Sequence, residues 1–217
     1  MTDNISVLDI KPKGATTKII VWLHGLGASA NDFEPVLPII NEHVTGVRYL
    51  FPNAPLKSVS VNGGMTMPAW YDIVSPDLAQ HQDNQGISAS CDKLEAIVSQ
   101  IREESGSEIP VILAGFSQGG VIALGTALTR NVNVQGVLAL STYLPDIAEQ
   151  NSANNNNLTL LMMHGTQDPV VPHEYARQSF NTINKTITDA RWMEYPMEHS
   201  LCYEQVVEIG KWLKDTF

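Results

Sequence analysis

The sequence predicts an α/β fold, a mostly parallel central sheet with helices on both faces, and three observations carry that expectation. Strand-like and helix-like segments alternate along the chain, which is the βαβ signature. Two strand-like segments, Val111-Ile-Leu-Ala and Leu158-Thr-Leu-Leu-Met-Met, are almost continuously apolar, as central parallel strands covered on both sides must be. Between them in character lies a helical stripe: Ile87, Cys91, Leu94, Ile97, Val98 and Ile101 recur at three- and four-residue intervals and give one face to bury against a sheet.

Taken in order, the strands are expected at Lys18–Leu23, Val47–Phe51, Pro110–Ala114, Val134–Ser141, Leu158–His164 and Ala190–Tyr195. The helices are expected at Asp32–Glu42, across the Ile87–Ile101 stripe, and at Gln118–Arg130, Glu174–Asn184 and Tyr203–Lys214. The Asn-rich stretch Asn151–Asn157 reads as an exposed loop. No internal repeat or linker divides the chain, and 217 residues with 43% hydrophobic content suit a single domain over residues 1–217.

Composition removes several function classes. A formal net charge of −10, with no basic run to offset it, repels phosphate backbones and argues against a nucleic-acid partner. No stretch of eighteen apolar residues occurs, and the first residues lack the basic and apolar regions of a signal peptide, so a soluble, cytoplasmic protein is expected. The two cysteines, Cys91 and Cys202, both fall in helix-like patterns and read as reduced thiols rather than a disulfide. Asn157-Leu-Thr and Asn184-Lys-Thr match the glycosylation pattern, but without a leader they read as chance. No H-E-x-x-H, paired C-x-x-C or phosphate loop appears, so neither a metal nor a cofactor is expected.

The segment that carries chemistry is Gly115-Phe-Ser-Gln-Gly119, a G-x-S-x-G directly after the most apolar strand and directly before a helical pattern. The pentapeptide alone is weak; its place between strand and helix is the context a nucleophile elbow requires. The glycines have a steric reason, since side chains at either would collide across the sharp reversal. Ser117 then projects its hydroxyl above the strand end, at a helix N-terminus whose N–H groups favour developing negative charge.

A serine hydroxyl needs a general base, itself oriented by a carboxylate. In such folds the partners follow in the order Ser, acid, His, on loops after late strands. Asp168, in the turn-rich loop after the strand Leu158–Met163, is the first acid candidate; Asp146, after the preceding strand, is the alternative, and an aspartate before a proline is also common in plain turns. Among six histidines, His199 alone lies after the last strand and before the terminal helix, which makes it the base. His24 and His164 stand at strand ends beside glycines, where an imidazole more often makes structural hydrogen bonds. Two N–H donors must also meet the tetrahedral oxyanion. One is Gln118, the residue after the nucleophile, and the other is Leu26, in the glycine-flanked turn His24-Gly-Leu-Gly27.

With these residues in place, the chain resembles the small α/β-hydrolases that include carboxylesterases, lysophospholipases and acyl-protein thioesterases. The resemblance runs over nearly the whole chain. It rests on His24-Gly-Leu-Gly-Ala, Phe51-Pro-Asn-Ala-Pro, Val61-Asn-Gly-Gly-Met-Thr-Met-Pro-Ala-Trp-Tyr-Asp72, Gly115-Phe-Ser-Gln-Gly-Gly120, His164-Gly-Thr-Gln-Asp168-Pro-Val-Val-Pro and Met197-Glu-His199. It implies Ser117, Asp168 and His199 as a triad, with Leu26 and Gln118 supplying the oxyanion hole. Ala114, where many members have Gly, and Gly27-Ala-Ser-Ala, without the Gly-Asp pair of some relatives, depart from the pattern without touching the chemistry.

The resemblance also puts Pro55–Trp70 beside the acyl pocket. Leu56, Val61, Met65, Met67 and Trp70 make this an apolar stretch without strong helical period, expected either to form a mobile wall of an acyl channel that touches membrane surfaces or to be pinned on the core. The expected function is hydrolysis of a small-molecule, lipid or S-acylated-protein ester or thioester through an acyl-enzyme. A binding protein on the same fold would be expected to have a broken triad, and a lactone hydrolase a cysteine at the elbow. An apolar face near the last helices is a surface on which two copies could pair as a homodimer.

Overall fold

A computed structural model describes residues 5–149 and 158–217, so the Asn151–Asn157 stretch lies outside the described residues. The chain enters as β1 (Val7–Ile10) and continues through β2 (Lys18–Leu23), α1 (Leu37–Asn41) and β3 (Val47–Pro52). A small hairpin, β4 (Leu56–Val59) and β5 (Met65–Pro68), precedes the long α2 (Asn84–Ser105). Then come β6 (Val111–Phe116), α3 (Gln118–Thr129), β7 (Gly136–Leu140), α4 (Asp146–Glu149), β8 (Thr159–Gly165), α5 (His173–Ile183), β9 (Asp189–Tyr195) and α6 (Tyr203–Thr216).

The main sheet runs β1-β3-β2-β6-β7-β8-β9, with β1 antiparallel to β3 and every other pairing parallel. Side chains alternate across it, so Ile19, Val21, Leu23, Val111 and Leu113 meet the inner faces of α2 and α3. Ile20, Trp22, Ile112 and Ala114 face the other way, onto the layer holding α1 and α6. All residues of β2 and β7, and all but the last of β6, are buried, which is the physical reason for their unbroken apolar runs.

Three parts of the fold differ from the sequence reading. The helix expected over Asp32–Glu42 is a 3₁₀ segment, Ala30–Val36, followed by the short α1, because Pro35 and Pro38 cannot donate to a continuous α-ladder. Val7–Ile10, unassigned in sequence, closes one edge of the sheet. Pro55–Trp70 contains an antiparallel hairpin in register from Leu56 opposite Pro68 to Val59 opposite Met65. It turns through Gly63 and Gly64, both at positive φ, where a Cβ would be strained.

This topology decides where a site can lie. Leaving β2 the chain moves to β3 on one side, while β6 lies on the other, so strand order reverses between β2 and β6. Connections diverge there and leave a crevice at the carboxyl ends of the two strands. His24-Gly25 follows β2 at that point, and Ser117 follows β6.

Candidate active site

The elbow is built from close backbone approaches. A Cβ on Gly115 would run into the backbone of Gly119, and one on Gly119 into the carbonyls of Leu23 and His24. Gly120 has its own reason: a Cβ there would lie 2.6 Å from Cβ of Thr142, after β7. Ser117 takes φ 53° and ψ −120°, a left-handed conformation that costs a non-glycine residue about 1–3 kcal/mol. Its surroundings hold it there: its N–H donates to Leu140 O at 2.9 Å, and its carbonyl accepts from Gly120 N, Val121 N and Thr142 Oγ1.

The loops carrying Asp168 and His199 leave β8 and β9 and are tied to each other. Gly165 lets the carbonyls of Met197 and Glu198 come close, where any side chain would clash. Thr166 N–H donates to Tyr195 O, and Gln167 N–H to Met197 O. The result is a 2.7 Å hydrogen bond between His199 Nδ1 and Asp168 Oδ2. The other oxygen, Oδ1, accepts from the N–H groups of Val170 and Val171. Burial alone would push the Asp168 carboxyl up, but the hydrogen bonds from His199 and these two amides outweigh it and hold the group below its ordinary value. Asp168 is therefore held as a carboxylate that can accept a hydrogen bond from the His199 ring. Asp146, the alternative acid, lies on α4, where its N–H donates to Gln82 Oε1.

Ser117 and His199 share one cleft of about 470 Å³ with His24, Gly25 and Leu26. Its apolar wall comes from Leu26, Phe33, Ile73, Phe116, Val170 and Leu201. The Phe116 ring packs at 4.8 Å from the His199 ring. Leu26 is carried on a turn whose next residue, Gly27, has φ +72° and donates its N–H to Pro68 O. The same turn stands close to the elbow: a Cβ on Gly25 would lie 3.4 Å from that of Ser117.

His24 and His164 make the structural bonds expected of them. Ala54 N–H donates to His24 Nε2, which fixes the ring as the neutral tautomer with Nδ1–H on Gly25 O. Burial keeps that imidazole below its usual value, against smaller opposing effects of the Gly25 carbonyl and Asp32. Burial likewise lowers His164, whose Nε2 lies 2.9 Å from Val171 O and 3.5 Å from Asp168 Oδ2.

The five residues expected to bind substrate are placed differently from the cleft wall. Trp70 is buried in the core; its indole N–H donates to His24 O, and its backbone N–H to Gln118 Oε1. With Gln118 Nε2 bonded to Tyr71 O, it braces the two turns of the site from inside the core. Leu56 and Met65 are 70% and 63% exposed on the hairpin, and Val61 sits on its turn. Met67, half-buried, lies beside Gly27. The residues that do line the cleft, Phe33, Ile73, Val170 and Leu201, carry no local pattern in the sequence that marks them.

A family model described as phospholipase/carboxylesterase matches residues 6–217. An acyl-protein thioesterase 1 from Cryptococcus neoformans is 32% identical over 235 residues, covering 99% of each chain. One from Mycosarcoma maydis is 32% identical over 231 residues, covering 97% of this chain and 96% of the relative. The crystal structure of Zea mays acyl-protein thioesterase 2 superposes with a TM-score of 0.84 at 24% identity, covering 97% of this chain and 98% of that one, a likeness of fold.

Proposed function

The chain belongs to the phospholipase/carboxylesterase family and is a serine hydrolase of acyl esters or thioesters, and we propose that Ser117, His199 and Asp168 are its catalytic triad. The observation that carries this reading is the 2.7 Å bond from His199 to the buried Asp168 at the cleft that also holds the strained Ser117. His199 takes the Ser117 proton as Oγ attacks the acyl carbonyl. The tetrahedral oxyanion is met by the N–H groups of Leu26 and Gln118. Collapse expels the alcohol or thiol, which takes the proton from His199, and leaves an acyl-enzyme. Water, deprotonated by His199, then releases the acid and restores Ser117.

The natural substrate in this reading is a long-chain acyl thioester or ester presented at a surface. The names of the fungal relatives support the thioester, and the exposed Leu56, Val61 and Met65 near the Leu26 turn support contact with lipid. Free Cys91 and Cys202 fit a reducing, cytoplasmic setting, and no described helix is long and apolar enough to cross a membrane.

The test is hydrolysis of p-nitrophenyl esters from acetate to palmitate, beside a palmitoyl thioester, by wild type and Ser117→Ala. Loss of the nucleophile should lower turnover about 10⁶-fold. Equal activity in the two proteins would overturn the assignment of Ser117, and a chain-length profile confined to acetate would overturn the long-chain substrate.

A further inference from the structure

The peptide linking Ser117 to Gln118 carries two groups of the site at once. Its carbonyl belongs to Ser117 and its N–H is the oxyanion donor of Gln118. A trans peptide is planar, so the two point in opposite directions and whatever fixes the carbonyl aims the N–H. Two of the three donors on that carbonyl, Gly120 N at 2.9 Å and Val121 N at 3.2 Å, are only the first bonds of α3. The third is the Thr142 hydroxyl at 2.7 Å, and it reaches across from the turn after β7.

Thr142 is held for this contact. It is fully buried. The residue before it, Ser141, takes a left-handed φ of 46° and anchors its N–H on Met163 O of β8. Gly120 leaves room for the threonine, since any larger residue would meet its Cβ, Cγ2 and Oγ1. A strained turn, a missing side chain and a buried hydroxyl thus converge on one carbonyl oxygen.

We propose that Thr142 is a positioning residue of the oxyanion hole: its hydroxyl, donating to Ser117 O, fixes the plane of the 117–118 peptide and so the direction of the Gln118 N–H. This rests on the triad reading above. The same bond strengthens the donor, because a carbonyl that accepts a hydroxyl withdraws charge from its own amide and leaves the N–H more positive. Thr142 touches no substrate; it acts through the backbone.

Thr142→Val removes the hydroxyl and keeps the shape, while Thr142→Ala and Thr142→Ser differ from each other only by a hydroxyl and serve if valine misfolds. Losing one oxyanion donor outright slows turnover about 10²–10³-fold, so misaiming it should cost about tenfold. The expected result is kcat about tenfold lower in the valine and alanine variants, with KM unchanged. Affinity for an alkylboronic acid, which forms a tetrahedral adduct on Ser117, should fall in parallel, and both should return in Thr142→Ser. Unchanged kcat in the hydroxyl-free variants, a loss that falls on KM, or failure of serine to restore activity in a normally melting protein would overturn the proposal. A wild type that hydrolyses no ester and takes no fluorophosphonate label would overturn the triad reading and this one together; an active wild type with indifferent Thr142 variants overturns this one alone.

Discussion

The elbow at Gly115–Gly120 and the hairpin β4–β5 are both glycine-containing turns beside one cleft, yet they are held in opposite ways. In the elbow each glycine is required by a neighbour: Gly119 by the carbonyls of Leu23 and His24, Gly120 by Thr142. In the hairpin a Cβ on Gly63 would meet nothing within 4 Å, and Leu56 and Met65 are exposed. The contrast teaches that a motif is rigid where backbone meets backbone, and adaptable where side chains such as Leu56 and Met65 are exposed. The first arrangement suits a reacting atom that must be placed within a fraction of an ångström; the second suits alkyl chains of varied length.

The sharpest way to break this contrast is to add the same methyl group to both. Gly119→Ala should cost about 2–3 kcal/mol by overpacking against fixed carbonyls and lower esterase turnover by at least about 10²-fold. Gly63→Ala, strained only by its positive φ of 65°, should cost about 1 kcal/mol and leave turnover unchanged. Thermal melts and ester hydrolysis on the pair decide it, and equal losses would mean that the hairpin is as tightly built as the elbow.

Acid should act on the elbow side first. His24 and His164 are both held below their ordinary 6.5 by burial and are neutral in the fold. Below about pH 6.5 the unfolded chain takes up protons that the folded one refuses, so stability falls as pH falls, by at most about 1.4 kcal/mol per pH unit for each imidazole. Asp168, lowered from 3.8, adds stability that is present above that value and lost only as pH drops through its folded one. Tm should therefore decline between pH 7 and 5, less steeply in His164→Gln; a flat profile would sink the neutral, buried assignment. Near the hairpin, Asp72 is raised by burial but held below its ordinary 3.8 by hydrogen bonds from Ser60, so its contribution is lost only at lower pH and adds nothing to the slope between pH 7 and 5.

The smallest stability effect belongs to the hairpin surface. Leu56→Ser and Met65→Ser should each change stability by no more than about 0.5 kcal/mol. They should shift the acyl-length profile toward short chains and weaken binding to phosphatidylcholine vesicles. Unchanged profile and vesicle binding would remove the hairpin from substrate recognition and leave the cleft wall of Phe33, Val170 and Leu201 to do it alone.

The sequence by itself determined what local sterics and periodicity can write. The apolar runs of β6 and β8 marked buried parallel strands, the spacing from Ile87 to Ile101 marked α2, and Gly115 with Gly119 marked the sharp turn around Ser117. These signals survive because each concerns residues within one element or one turn. Prolines at 35 and 38 were equally local, and reading the helical pattern without their missing N–H groups produced a helix that the chain replaces with a 3₁₀ segment. Only the tertiary structure decided which carboxylate meets His199, 31 residues from Asp168, and that Trp70 braces the site from inside the core instead of lining it. The same holds for the meeting of Thr142 with Ser117 and for the wall of the cleft, which gathers Phe33, Ile73, Val170 and Leu201 from four separate segments. Such contacts depend on the register of strands distant in sequence, and no short window of residues carries that information.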